Sequence, residues 1–318
     1  MDLFRIESGV LKPVQSDQFR LERDIQALVE SNMGSLFDIK LITSEFSVGD
    51  FRLDSLCFDE ESNSFVIVEY KRGSSYSVID QGYSYLSVML NNKAEFILEY
   101  NEKFGTPIRR SEVDWSSSRV IFVSPSFNTY QRNSVNFKDV PFELWEIKRF
   151  EGGLLMLEEI RSSSDQSVEN ITGPDKGGVI SDVSKEVKVV SESDHIKGAS
   201  SSVSDLWSEL RSRYEGQPDV SIYANKSYIG LKRGDKLFGA IRFTKNHMII
   251  DFSRGDIKTD GSKSRGFFEL EDPKGLSEEK SWTYKSGVMG NSYIIKFSKL
   301  ADLEYVIYLI NQKYESLG

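Results

Sequence analysis

Apolar residues recur at helical spacing over residues 17–32, where Leu21, Ile25, Leu28 and Val29 fall on one side. Gly34 follows as a stop. Residues 36–47, rich in apolar and β-branched types, predict a strand, and Gly49-Asp50 a turn. Phe51 to Phe58 predicts the next strand, and the polar run Asp59-Glu60-Glu61-Ser62-Asn63 turns the chain back. Phe65-Val66-Ile67-Val68 is unbroken and apolar, the pattern of a strand buried on both faces. Helical spacing returns over 75–92, with Ile79, Tyr83, Leu86 and Leu90 on one side, and strands are expected at 119–124 and 142–149. This order, beginning near Ser16, predicts an α/β sandwich around a mixed central sheet.

The pattern then lapses. Residues 161–201 contain no aromatic residue and are rich in Ser, Asp, Glu, Lys and Gly. Such a composition buries too little surface to offset its ordering entropy, so the stretch is expected to be a flexible linker, with Val187-Lys188-Val189-Val190 docking locally. Beyond it, Leu206, Leu210 and Tyr214 predict a helix. Strands are expected at 219–224, 227–233, 237–243, 247–252 and 293–297, and Leu303, Val306, Ile307 and Ile310 mark a closing helix over about 300–315. The expected organisation is a first domain at 1–160, a linker at 161–201 and a smaller α+β domain at 202–318 with a mostly antiparallel sheet.

Composition narrows the chemistry. The chain has 318 residues, one cysteine (Cys57) and two histidines (His195 and His247) that are far apart in sequence. Disulfides within the chain, zinc sites built on several cysteines and sites of three histidines are excluded. Carboxylates and lysines remain as the expected actors, and carboxylate oxygens suit hard cations such as Mg²⁺ or Mn²⁺. No apolar run reaches membrane-spanning length and no secretory signal opens the chain, so a cytoplasmic protein without a membrane partner is expected. Net charge is −9 and uneven: residues 1–200 carry 22 basic and 33 acidic groups, the remainder 18 and 16. A coat for nonspecific nucleic-acid binding is thereby disfavoured, but a local groove with bridging metal ions is not.

The concentrated chemistry lies in the proposed hairpin. With its turn near Glu61, Asp54 comes opposite residues 68–69, where cross-strand neighbours lie about 4.5–5.5 Å apart. Glu69 and Lys71, two apart on one strand, share a face. An apolar run gains nothing for stability by ending in Glu-Tyr-Lys, because half-buried charges are costly unless paired. Asp54 and Glu69 suit a divalent cation, with the Tyr70 carbonyl as a further oxygen ligand, and Lys71 suits developing phosphorane charge. The alternative is a surface ion-pair cluster at a strand end. Glu22 lies on the first helix, and Gln81 and Tyr85, four apart, share a face of the helix after the Glu-Tyr-Lys strand.

The ordered set of Glu22, Arg52-Leu53-Asp54, Glu69-Tyr70-Lys71 and Gln81-Gly82-Tyr83-Ser84-Tyr85 resembles the PD-(D/E)xK superfamily of restriction-endonuclease-like folds over roughly residues 16–150. The Gln-x-x-x-Tyr pair is similar to the branch that includes RecB-type nucleases. Leu53 stands where the superfamily name has proline. The resemblance implies metal binding by residues matching Asp54 and Glu69, catalysis by the one matching Lys71, and site roles for Glu22, Gln81 and Tyr85. For those last three the bland alternatives are a solvated helix face and helix packing against the sheet. Residues 203–316, with Asp272-Pro273 and Gly290-Asn291-Ser292-Tyr293, resemble a C-terminal module of unknown function often labelled "predicted transport protein".

The leading expectation is a Mg²⁺-dependent nuclease acting on nucleic acid, DNA ahead of RNA, in restriction, phage defence or repair. Its second domain would supply specificity, homodimerisation or partner contacts. The rivals are a noncatalytic module that keeps the nuclease fold and binds nucleic acid or protein, and an assembly subunit working through the second domain. Arg72 is read as a phosphate contact or a solvated arginine. The stretch Pro125-Ser126-Phe127-Asn128-Thr129-Tyr130-Gln131-Arg132-Asn133 is read as core and capping, with a substrate-facing role as the alternative. His247 is read as structural. Lys232, Arg233, Lys236, Arg242 and Lys245 are read as a solvated sheet face or a nucleic-acid patch.

Overall fold

A computed structural model of the chain describes residues 3–72, 77–137, 139–161, 178–234, 236–284 and 286–317, without the side chain of Ser181. The chain divides into two units, Met1–Val189 and Val190–Gly318.

The first unit opens with a two-stranded hairpin, β1 (Phe4–Glu7) and β2 (Val10–Pro13), and a short strand β3 (Ser16–Asp17). Helices α1 (Glu22–Glu30) and α2 (Met33–Phe37) follow. Helix α1 starts later than the apolar spacing predicts because residues 16–17 pair with a strand of the sheet, and Asp24 accepts from the Leu21 backbone amide at 3.0 Å to close the first turn. Gly34 lies inside α2, which ends instead on Asp38 in the left-handed region (φ 55°).

Strands β4 (Lys40–Val48), β5 (Phe51–Asp59) and β6 (Ser64–Tyr70) form an antiparallel meander, and every residue of β6 is buried. Helix α3 (Val78–Asn91) follows, its Ser77 cap accepting from the Asp80 amide; the expected helix positions 75–76 lie outside the described residues. Helix α4 (Lys93–Phe104), strand β7 (Arg119–Ser124), helix α5 (Thr129–Ser134) and strands β8 (Phe142–Phe150) and β9 (Leu154–Ile160) complete the sheet. Strand order is β3-β8-β7-β6-β5-β4 with β9 on β8, and β6, β7 and β8 run parallel to one another. The sheet is mixed and covered on both faces. On one side Val78, Leu86, Met89 and Phe96 of α3 and α4 pack on Phe65, Ile67 and Phe122; on the other Ile25, Val29 and Met33 pack on Val66, Val68 and Val123.

The expected linker is described only in part. Residues 162–177 lie outside the described residues, but helix α6 (Val179–Glu186) packs against α3, burying Val183 and Val187 in the core of the first unit. Two valines four apart give a polar segment enough apolar surface to dock once a partner face exists.

In the second unit, α7 (Glu192–Ile196) and α8 (Ser201–Tyr214) lead into strands β10 (Val220–Ala224), β11 (Ile229–Arg233), β12 (Lys236–Phe243), β13 (Met248–Ile257), β14 (Ser277–Thr283) and β15 (Met289–Phe297), closed by α9 (Leu303–Glu315). Among the described residues its strands pair antiparallel throughout, in the order β10-β11-β12-β13-β15-β14. Leu206, Trp207 and Leu210 of α8 and Val306, Leu309 and Ile310 of α9 bury their apolar stripes on the sheet. Strand β14 is absent from the periodicity because its residues are almost all exposed. Its Trp282 ring lies where a side chain on the cross-strand Gly290 would stand, with ring atoms 2.4–2.6 Å from a Cβ built there. Among the described residues no helix is long and apolar enough to cross a membrane.

Candidate active site

The site forms where the β5–β6 hairpin runs out. Ser55 pairs with Val68, and the next step of that register sets Asp54 against Glu69, as the hairpin arithmetic predicts. Asp54 Oδ2 accepts from the Tyr70 backbone amide at 3.0 Å. Lys71 leaves the strand with its amide donating to the Val123 carbonyl at 2.9 Å, so its backbone stays on the sheet. Side chains alternate along β6: Glu69 and Lys71 face α3, and Tyr70 points to the opposite core.

Glu69 is 3% exposed and its two oxygens differ sharply. Oε1 accepts from Lys71 Nζ at 2.7 Å, from Gln81 Nε2 at 2.8 Å and from the Tyr85 hydroxyl at 3.2 Å. Gln81 Nε2 also reaches the Tyr85 hydroxyl at 2.7 Å. Oε2 is buried with no hydrogen-bond partner. Burial, with the Glu69 charge added, pushes Asp54 up to about 7, against the opposing pull of the Tyr70 amide and Lys71. Burial likewise raises the Tyr85 hydroxyl, keeping it a neutral donor. Lys71, Gln81 and Tyr85, with Phe51, Ser77, Asp80 and Ser84, line an open depression of about 540 Å³.

Asp54, Glu69, Lys71, Gln81 and Tyr85 are therefore brought together. Glu22 stands at the rim: its Oε2 accepts from the Arg72 amide at 3.0 Å, and its charge adds to the upward push on Asp54. Tyr70 contributes its backbone here, while its hydroxyl meets Ser55 Oγ at 2.9 Å on the far face.

A supporting chain escaped the sequence reading. Ser55 Oγ donates to Glu30 Oε1 at 2.6 Å, and Gln26 Nε2 donates to Glu30 Oε1 at 3.0 Å and to the Asp54 carbonyl at 3.2 Å. Its signal was present: Glu22, Gln26 and Glu30 recur every four residues and form a polar stripe beside the buried Ile25 and Val29.

The other candidates resolve more simply. In the 125–133 stretch Phe127 is buried, and Asn128 and Gln131 cap α5 reciprocally, which is the core-and-capping reading. Arg132 reaches Glu146. His247 sits in the β12–β13 turn, its amide donating to Thr244 Oγ1. Arg233 and Arg242 of the basic group are paired to Asp219 and Asp251, Lys236 Nζ donates to the Leu317 carbonyl, and Lys232 lies over the Tyr223 ring.

The donor set can be tested against a cation. Among the described residues no three or more His, Cys, Asp or Glu side chains are gathered to hold a metal ion. Asp54 and Glu69 supply two carboxylates, and Asp54 is held against the Tyr70 backbone through its amide. The buried Glu69 Oε2 without a partner and the upward push on Asp54 are both relieved by a divalent cation. An all-oxygen set with few protein ligands fits Mg²⁺, which keeps several waters.

No family model matches the chain. Among solved structures, a repair endonuclease from Pyrococcus abyssi is similar at 19% identity, covering 38% of this chain and 45% of that one, with a TM-score of 0.21. EndoMS in its apo form is 14% identical over 42% and 58% of the two chains, with a TM-score of 0.25. SfsA of Pyrococcus furiosus in complex with Ca²⁺ is 12% identical over 43% and 60%, with a TM-score of 0.23. The matched part spans about half the length of each of those proteins. An uncharacterized protein of Haemophilus influenzae is 39% identical over 314 residues, covering 98% of this chain and 99% of that protein. The chain therefore belongs, over nearly its whole length, to the same family as that uncharacterized Haemophilus influenzae protein.

Proposed function

We propose that the first unit is a Mg²⁺-dependent nuclease of the PD-(D/E)xK type, hydrolysing phosphodiester bonds in nucleic acid, DNA ahead of RNA. The observation that carries this reading is the asymmetry of Glu69: three donors gather on Oε1, and Oε2 is left buried without one, beside Asp54. A carboxylate meant only for an ion pair has no reason to strand an oxygen, since a buried acceptor without a partner costs about 1–3 kcal/mol.

Asp54, Glu69 and the Tyr70 carbonyl would hold the cation, which when bound supplies Lewis acidity toward a phosphodiester oxygen. Gln81 and Tyr85 fasten Glu69 through Oε1 and so aim Oε2. Lys71 lies at the depression, its ammonium 2.7 Å from Glu69 Oε1, where it can stabilise negative charge as it develops on the phosphate. Burial of Glu69 and partial burial of Asp54 keep the local dielectric low and strengthen each of these interactions.

The decisive experiment is a cleavage panel with Mg²⁺ and Mn²⁺ on plasmid, single-stranded DNA and RNA, repeated with Asp54→Ala and Lys71→Ala. Cleavage by the wild-type chain that disappears in both variants is the expected result, and undiminished cutting by both sinks the assignment. The rival, a noncatalytic module that keeps this fold, takes its support from the count of two carboxylates rather than three. It predicts tight binding with no turnover on any of these substrates.

A further inference from the structure

The parallel strands β6, β7 and β8 place a second cluster in line with the first. Their register sets Glu69 beside Phe122 and Phe122 beside Leu144; one step on, Tyr70, Val123 and Trp145 align. The next row holds Ser124 and Glu146, and the Lys71 amide, bonded to the Val123 carbonyl, continues that row onto β6. Phe122 and Leu144 belong to the core beneath α3, so by alternation Ser124, Glu146 and Lys148 stand on the face that carries Glu69 and Lys71. Neighbouring strands lie about 4.8 Å apart, which puts β8 roughly 10 Å from β6.

Glu146 is 4% exposed and saturated with donors. Oε1 accepts from the Phe127 amide at 3.2 Å and from Arg132 Nη2 at 2.5 Å; Oε2 accepts from Lys148 Nζ at 3.0 Å. Arg132 is further fixed by its Nε donating to the Phe127 carbonyl at 3.0 Å. One cation is enough to neutralise one buried carboxylate. Here two share it, and their side chains are 45% and 36% exposed, so a net positive charge is held rigidly at the surface. The rise along a duplex is about 3.4 Å of axis per charge on each strand, and because the backbone winds around that axis its phosphates lie about twice as far apart, so roughly 10 Å spans about two nucleotides.

We propose that Arg132 and Lys148 form a phosphate subsite that holds the backbone of a nucleic-acid strand about two nucleotides from the bond cleaved at Glu69 and Lys71, with Glu146 as the positioning residue beneath them. This subsite rests on the nuclease reading. It takes backbone phosphate without regard to base, so it acts on affinity and register rather than sequence choice.

The test uses the full chain carrying Asp54→Ala, so that binding is read without cleavage, and oligonucleotides of about 2 and about 12 nucleotides over about 50–200 mM salt. Lys148→Gln keeps a hydrogen-bond donor and leaves Glu146 with Arg132 and the Phe127 amide. It is expected to weaken binding of the 12-mer several-fold and to reduce the slope of log affinity against log salt by about 0.7–0.9, one phosphate's worth. Lys148→Arg restores both, and the dinucleotide, too short to span the two sites, binds both proteins alike. In the cleaving protein the loss from Lys148→Gln appears in KM. An unchanged salt slope in Lys148→Gln, while Asp54→Ala abolishes cleavage, overturns the subsite and leaves the nuclease. Undiminished cleavage by Asp54→Ala, or none by the wild-type chain, overturns both.

Discussion

Gln81 donates from Nε2 to Glu69 Oε1 at 2.8 Å, and this bond fastens helix α3 to the end of strand β6. It decides which oxygen of Glu69 is engaged. Replacing Gln81 by Ala removes a hydrogen bond to a charged group, worth about 1.5–3 kcal/mol, and frees Glu69 to turn. If that energy is used in the transition state, kcat falls roughly 10–100-fold with little change in KM. The Mg²⁺ concentration for half-maximal rate should rise in parallel. A Gln81→Ala protein with wild-type kcat and metal dependence would falsify the positioning role.

The Asp54–Glu69 pair makes a prediction about pH. Asp54 is raised from 3.8 to about 7, chiefly by burial. The folded state therefore keeps a proton that the unfolded chain releases above about pH 4. Stability declines as pH climbs from about 4 to 7, then levels off once both states are ionised. Asp54→Asn removes the penalty, so its melting temperature should pull ahead of wild type across that window, by an amount worth up to a few kcal/mol. Melting curves at pH 4, 6 and 8 check this, and parallel profiles for the two proteins refute it.

Cation binding should follow the same proton. At pH 8 Asp54 has lost its proton, and saturating Mg²⁺ or Mn²⁺ should raise the melting temperature by mass action; at pH 5 the gain should be small. Asp54→Ala should abolish it at both. A melting temperature indifferent to either metal at pH 8 contradicts the metal site without reference to catalysis.

Gly82 lies on α3 between Gln81 and Tyr83, and a Cβ there would stand 2.5–2.9 Å from ring atoms of Phe142. That ring cannot easily retreat, being packed edge-on with Tyr83 at 4.9 Å and Phe122 at 6.1 Å. Gly82→Ala should therefore destabilise by about 1–3 kcal/mol through overpacking, despite alanine's helix preference of about 1 kcal/mol over glycine. Adding Phe142→Leu should recover part of the loss in urea denaturation. A more stable Gly82→Ala protein would show that the helix can shift freely.

On the far face, Ser55 joins Tyr70 to Glu30. Tyr70→Phe leaves Ser55 bonded to Glu30 and should cost about 1 kcal/mol. Ser55→Ala leaves a buried tyrosine hydroxyl without this partner and should cost more, about 1–3 kcal/mol. The order of the two, measured by denaturation, is the check; a reversed order means another group takes up the Tyr70 hydroxyl.

Much of the site was legible along the chain. Two-residue alternation placed Glu69 and Lys71 together, the hairpin arithmetic set Asp54 against Glu69, and four-residue spacing paired Gln81 with Tyr85. These are properties of consecutive residues, and local geometry settles them. The sandwich was legible for the same reason: a wholly apolar strand between two amphipathic helices needs cover on both faces. Local pattern missed β1, β2, β3, α2, α4, α5, α6, α7, β9 and β14. Helix α6 is too polar to declare itself and is held only because α3 offers a face for Val183 and Val187. Three things belong to the tertiary structure alone. The angle at which α3 meets β6 adds Gln81 and Tyr85 to Lys71 as donors on Glu69 Oε1 and leaves none on Oε2. Packing of Phe142 against α3 explains the glycine at 82. The parallel order β6-β7-β8 aligns Lys71 with Glu146. Each depends on how separate elements pack against one another, and only the energy of packing them together chooses their order and angles.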